Sequence, residues 1–200
     1  VLEFARANPA LTLSDEAYAD FGEGSVARYA GTADYPRLMV CGTFSKTYRL
    51  AGGRVGWLLA HPDIIAELDK VRDSYNINRL TQVAALAALR DQDELKRRIA
   101  IIKDTRTKTI AGLTELGFRV LPSQANFVFA RAPADFAGAR LPDGTPADSG
   151  GHACYEHLTA RKILVRYFPG PRTGEFVRIT IGTPEQMQKL LAALREISKG

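Results

Sequence analysis

The sequence predicts a mixed α/β protein in two parts, an α/β part followed by a smaller α+β unit. Three observations carry this. Short apolar runs alternate with loops and a helical stretch over residues 11–72, a long helical stretch at 92–116 could bridge two domains, and residues beyond it alternate strand candidates with helices. The expected division is therefore residues 1–92 and 93–200.

Taken in order, Val1 to Ala10 reads as the end of an element, with Leu2, Phe4 and Ala5 apolar before Asn8-Pro9 breaks the chain. Residues 11–16, 37–42 and 56–60 read as short buried strands. Pro62-Asp63 opens a helix through Arg72 that sets Ile64, Ile65, Leu68 and Val71 on one face. Helices follow at 79–90 and 92–116, the second stopped by Gly117. Strands are expected at 119–121, 125–130, 163–167 and 177–181, and helices at 152–161 and 184–198. Pro133 to Gly151, rich in Pro and Gly, reads as a loop.

The most informative stretch is Thr43-Phe44-Ser45-Lys46-Thr47-Tyr48-Arg49-Leu50-Ala51-Gly52-Gly53-Arg54. It sets one lysine among small hydroxyl residues and glycines, with an arginine eight positions downstream. A lysine that condenses with an aldehyde must be able to lose its proton, and a neighbouring cation such as Arg54 favours the neutral amine. Ser45 and Arg54 can hold a phosphate, one as a hydroxyl donor and the other as a planar fork. Upstream, Asp15 and Tyr18 lie three apart, so an acid and a phenol can reach one ring together. A buried carboxylate beside a pyridine nitrogen keeps that nitrogen protonated, which makes the ring an electron sink. Towards the C-terminus, Arg178 lies in a run where Val177, Ile179 and Ile181 are apolar, so Arg178 and Thr180 share the opposite face. A strand arginine so placed can clamp a carboxylate with two parallel hydrogen bonds.

Asp15-x-x-Tyr18, Ser45-Lys46 and Arg54 together resemble the pyridoxal-phosphate aminotransferases of fold type I. Within that superfamily, Ile163 to Phe168 followed by Val177 to Thr183, with Arg166 and Arg178 twelve apart, looks most like the histidinol-phosphate aminotransferases; Ser123-Gln124-Ala125-Asn126-Phe127-Val128 is similar to a strand of the same family. The resemblance implies pyridoxal 5'-phosphate as cofactor, with Lys46 as the catalytic lysine and Asp15, Tyr18, Thr43, Ser45, Lys46 and Arg54 holding it. It implies Arg178, Arg166 and Tyr75 on the substrate, L-histidinol phosphate as amino donor, 2-oxoglutarate as acceptor, and a homodimer. It also implies that these residues are the C-terminal portion of a longer catalytic fold, the C-terminal half of its large cofactor-binding α/β domain followed by its small α+β domain, lacking the Gly-rich phosphate cradle and the ring that stacks on the pyridine and so expected to be inactive alone. Alternatives are an aromatic or other amino-acid aminotransferase, a related phosphothreonine decarboxylase, or a non-catalytic folding and dimerisation module.

Composition limits other classes. The net charge of +5 comes from basic residues interleaved with acids, as in Glu94-Leu95-Lys96-Arg97-Arg98, which argues against a nucleic-acid stripe. No apolar run approaches a membrane span. The two cysteines, Cys41 and Cys154, suit a reducing compartment, so a cytoplasmic location is expected. The three histidines show no ligand pattern, and no metal is expected.

Overall fold

The computed structural model describes residues 1–198. They fall into two compact units, Val1–Ile99 and Ala100–Gly200, so the division lies inside the long helix rather than before it.

In the first unit a short helix α1 (Leu2–Ala7) precedes strand β1 (Thr12–Asp15), which pairs in parallel with β2 (Leu38–Thr43); β2 pairs antiparallel with β3 (Gly56–Leu59). The crossover between the parallel strands holds two 3-10 turns, Ala19–Phe21 and Ala27–Tyr29. Thr12 stands opposite Leu38 and Asp15 opposite Cys41, which brings the ends of β1 and β2 to one edge. Leu38, Val40, Tyr35 and Ala5 form the core here, with Trp57 packed against it. β1 is buried on one face only: Thr12 is buried, whereas Leu11 and Leu13 on the other face are exposed, a correction to the expectation of a buried strand. Gly42 is required, because a Cβ there would lie 2.3 Å from the Trp57 indole.

Helix α2 (Pro62–Asp69) starts at Pro62 as expected, with the His61 side chain as its cap, but it ends short of Arg72. Leu68 and Val71 find no cover, and a short helix without buried apolar contact does not propagate. Helix α3 (Arg79–Arg90) is capped by Asn78, whose Oδ1 accepts from the Thr81 amide at 2.9 Å. Helix α4 (Gln92–Glu115) carries the chain across the unit boundary.

The second unit is a four-stranded antiparallel sheet in the order β4 (Arg119–Val120), β5 (Phe127–Arg131), β7 (Phe176–Thr180), β6 (Arg166–Tyr167). Val128, Ala130, Val177 and Ile179 fill one face and pack with Leu113 of α4, Leu158 of α5 (Gly150–Ala160), and Leu190 and Leu194 of α6 (Pro184–Ile197). Gly117, at φ +81°, turns the chain out of α4, and the Phe118 amide closes back on the Leu113 carbonyl at 3.0 Å. Thr183 and Gln186 form a reciprocal capping box at α6. The strand expected from Ile163 is paired only at Arg166–Tyr167; Lys162 turns through φ +60° and Leu164 stays exposed. The expected loop holds a 3-10 turn at Phe136–Ala139 with Phe136 buried, and α5 starts at Gly150, not at His152. The two glycines that disguised this start are fixed by packing: a Cβ at Gly150 would meet the Pro133 carbonyl, and one at Gly151 the Glu175 backbone.

Candidate active site

The lysine stretch leaves β2 at Thr43 and folds tightly before β3. The Phe44 amide donates to the Val55 carbonyl at 3.0 Å, the Leu50 amide to Phe44 at 2.9 Å, and the Arg49 amide to Lys46 at 3.2 Å. Beneath the loop the rings of Phe44 and Tyr48 stack at 4.5 Å, and Thr47 is buried. Thr43 Oγ1 donates to the Val55 carbonyl at 3.3 Å and accepts from the Ser45 amide at 3.1 Å, which sets Ser45 and Lys46 at the strand end. The Lys46 side chain is exposed, and among the described residues no ion pair holds it.

Parallel pairing delivers the partners. Asp15 ends β1 beside Cys41, its Oδ1 accepting from the Ala17 amide at 3.0 Å, and the turn that follows carries Tyr18 under the lysine. Lys46 Nζ lies 5.5 Å from the centroid of the Tyr18 ring, within cation–π range. Asp15 is exposed rather than buried, on the same uncovered face as Leu11 and Leu13. Burial pushes the Cys41 thiol up, with the Asp15 charge as a second cause. Glu16, which the sequence did not single out, points to the opposite face and accepts from the Ser25 hydroxyl and from the Val26 amide at 2.7 Å, tying the crossover to the strand end. Its signal was the alternation that separates it from Asp15.

Arg54 stands in the same stretch, with its backbone left-handed at φ 54° and Nη1 donating to the Ala51 carbonyl at 3.0 Å. Thus Asp15, Tyr18, Thr43, Ser45, Lys46 and Arg54 all belong to the strand ends and connecting loops of one sheet. Tyr75 is 92% exposed in the segment after α2, its amide held by Asp73 at 2.8 Å, and no hydrogen bond or ring contact ties it to this group. Among the described residues no cluster of three or more His, Cys, Asp and Glu could hold a metal ion.

In the second unit Arg166 and Arg178 are directly opposite each other across β6 and β7. Phe129 faces Arg178 across β5 and β7, and Phe127 faces Thr180, so this outer sheet face is aromatic and basic. Arg178 Cζ lies 5.3 Å from the Phe127 ring and 5.5 Å from the Phe168 ring, and Arg166 Cζ is 5.5 Å from Phe168. Arg178 Nε is buried without a hydrogen-bond partner, and among the described residues neither arginine has a carboxylate within ion-pair distance. Sequence reasoning passed over Phe168. Its signal was the two-residue spacing from Arg166, which puts both on one face of a strand.

Comparison with known proteins shows the family and the fold. Residues 1–194 match the family described as aminotransferase class I and II. The chain is 43% identical over 186 residues to the histidinol-phosphate aminotransferase of Citrifermentans bemidjiense, covering 93% of this chain and 49% of that protein. It is 45% identical over 183 residues to the enzyme of that name from Geobacter sulfurreducens, covering 92% of this chain and 48% of that one. The chain therefore spans about half the length of the curated relatives it matches. Its fold superposes with TM-score 0.81 on histidinol-phosphate aminotransferase from Sinorhizobium meliloti in complex with pyridoxal-5'-phosphate, at 29% identity and covering 99% of this chain and 52% of that one. The enzyme of that name from Clostridium acetobutylicum also gives TM-score 0.81, at 25% identity, covering 99% and 57%. With a mixed α/β fold that matches half of these structures and a family match across nearly its full length, the chain belongs to the class I and II aminotransferases.

Proposed function

We propose that this chain serves pyridoxal-phosphate-dependent transamination, moving the amino group of L-histidinol phosphate to 2-oxoglutarate in histidine biosynthesis. The observation that carries the reading is the Lys46 amine, exposed, outside any ion pair among the described residues, and poised over the Tyr18 ring at the strand end it shares with Asp15. The donor set fits the cofactor. A free amine suits its aldehyde, the Asp15 carboxylate suits a protonated ring nitrogen, and the hydroxyls of Thr43 and Ser45 with the Arg54 guanidinium suit a phosphate. When bound, pyridoxal phosphate supplies an aldehyde carbon and an electron-withdrawing ring.

The residues of the chain do the rest. Lys46 would take the proton from the substrate carbon that bears the amine and return it to the cofactor's aldehyde-derived carbon, on the far side of the nitrogen. Asp15 holds the ring proton by charge, and Tyr18 donates to the ring's phenolic oxygen. Arg178 takes the carboxylate of the oxo acid. Arg166 meets the phosphate of the donor or the distal carboxylate of the acceptor, two anions at different positions. Tyr75 remains a candidate for a hydrogen bond to substrate phosphate. The active form is a homodimer in the reducing cytoplasm, where the free thiols Cys41 and Cys154 are stable.

Two measurements test the reading. The chain within a full-length aminotransferase fold is mixed with pyridoxal phosphate, reduced with borohydride and mapped by mass spectrometry; the phosphopyridoxyl mass is expected on Lys46, and equal labelling of the other lysines sinks the assignment. A donor screen compares histidinol phosphate, phenylalanine and phosphothreonine by glutamate formed from 2-oxoglutarate. A preference for either of the last two redirects the substrate assignment.

A further inference from the structure

Arg166 and Arg178 stand opposite each other on one sheet face, and like charges directly opposite repel. No carboxylate within ion-pair distance relieves them among the described residues. The Phe168 ring lies 5.5 Å from each guanidinium carbon, so the two carbons are separated by no more than twice that distance. Phe168 is itself held. Its carbonyl accepts from Thr173 Oγ1 at 2.8 Å, and the preceding Tyr167 ring stacks at 5.6 Å on both His152 and Tyr155. Phe127 lies 5.3 Å from the Arg178 guanidinium carbon, and the buried, unpaired Nε of Arg178 leaves its remaining N–H groups as the ones able to meet a ligand.

We infer that Phe168 is a positioning residue that holds Arg166 and Arg178 as one paired anion receptor, so that losing its ring weakens anion binding at both arginines together. The ring's negative face offsets the mutual repulsion of the cations and restricts their rotamers, which lowers the ordering cost when an anion arrives. This rests on the proposed role of the two arginines as the substrate's anion site.

The test uses the 200-residue chain and inorganic phosphate as probe, followed by NMR at the arginine Nε–Hε groups, which needs no cofactor and no turnover. In the parent chain phosphate is expected to shift both Arg166 and Arg178. Phe168→Leu is expected to raise the phosphate Kd about tenfold and to move both arginine signals towards those of exposed arginines before any phosphate is added. The backbone amides of Val128 and Ile179, in the core on the other sheet face, are expected to stay in place. Phe168→Tyr keeps an aromatic face and should bind within about twofold of the parent. If Phe168→Leu binds as the parent does, or if Phe168→Tyr is as weak as Phe168→Leu, the inference falls while the anion site stands. If the parent shows no phosphate-dependent shift at either arginine, both fall.

Discussion

Single substitutions separate the roles proposed for Lys46 and Asp15. Within a full-length aminotransferase fold, Lys46→Ala is expected to lower transamination by a factor of roughly 10²–10⁴ or more, the usual weight of a positioned acid–base group, and to remove the borohydride-trapped label. Asp15→Asn keeps an acceptor for the Ala17 amide but cannot hold a ring proton by charge, so it should lose most activity with no change in unfolding midpoint. Steady-state rates beside thermal melts check both. Glu94 gives a pH signature of another kind. Hydrogen bonds from Arg97 and Arg98 hold its carboxyl at about 2, below the ordinary 4.5. A carboxyl depressed on folding contributes fully above its unfolded value, and that contribution is lost as pH falls through the folded one. The stability difference between the parent and Glu94→Gln should accordingly be constant above about pH 5 and shrink towards pH 2, measured as paired melts across that range. It should also shrink with salt, since the pair is partly exposed.

At the scale of elements, what sequence could reveal depended on whether the signal was local. The alternation in Phe127–Arg131 and Phe176–Thr180 is local and placed Arg178 on the face opposite the core, where it stands. The Ser45-Lys46 stretch with Arg54 is one contiguous run, so its chemistry could be read directly. The approach of Tyr18 to Lys46 arises from a parallel pairing across twenty-two intervening residues, 16–37, which no local pattern specifies. The start of α5 was hidden because Gly150 and Gly151 signal a loop in isolation, whereas here they allow the helix to pass against Pro133 and Glu175. Gly42 is a similar case, and Gly42→Ala should cost about 1–3 kcal/mol as the new methyl meets Trp57, read as a lower urea midpoint with altered tryptophan fluorescence. At α6, Thr183→Ala removes half of the capping box and should cost about 1 kcal/mol in the same assay.

The molecule as a whole is unevenly finished. The second unit closes one core from α4, α5, α6 and the sheet, while in the first unit Leu11, Leu13, Leu80, Val83 and Tyr75 are exposed. Exposed apolar side chains favour association. Sedimentation of the purified chain should show a concentration-dependent rise in mass, and Leu80→Lys with Val83→Lys should reduce it; a monomer at all concentrations would refute the expectation. The reading of the sequence as two parts located the long helix between them, but the division falls at Ile99, inside α4, because Leu95 is buried in the first unit and Thr105, Thr109 and Leu113 in the second. Helical periodicity does not reveal where a continuous helix changes its packing partners.

Arg54 sits in a left-handed backbone conformation that a glycine would occupy with less strain, by roughly 1 kcal/mol. If Arg54 holds the cofactor phosphate as proposed, durability and ligand retention pull in opposite directions at this position. Arg54→Gly should survive heating slightly better and hold pyridoxal phosphate less firmly. A laboratory evolution experiment that selected for heat endurance alone would discard this arginine, and one that selected for cofactor retention would restore it.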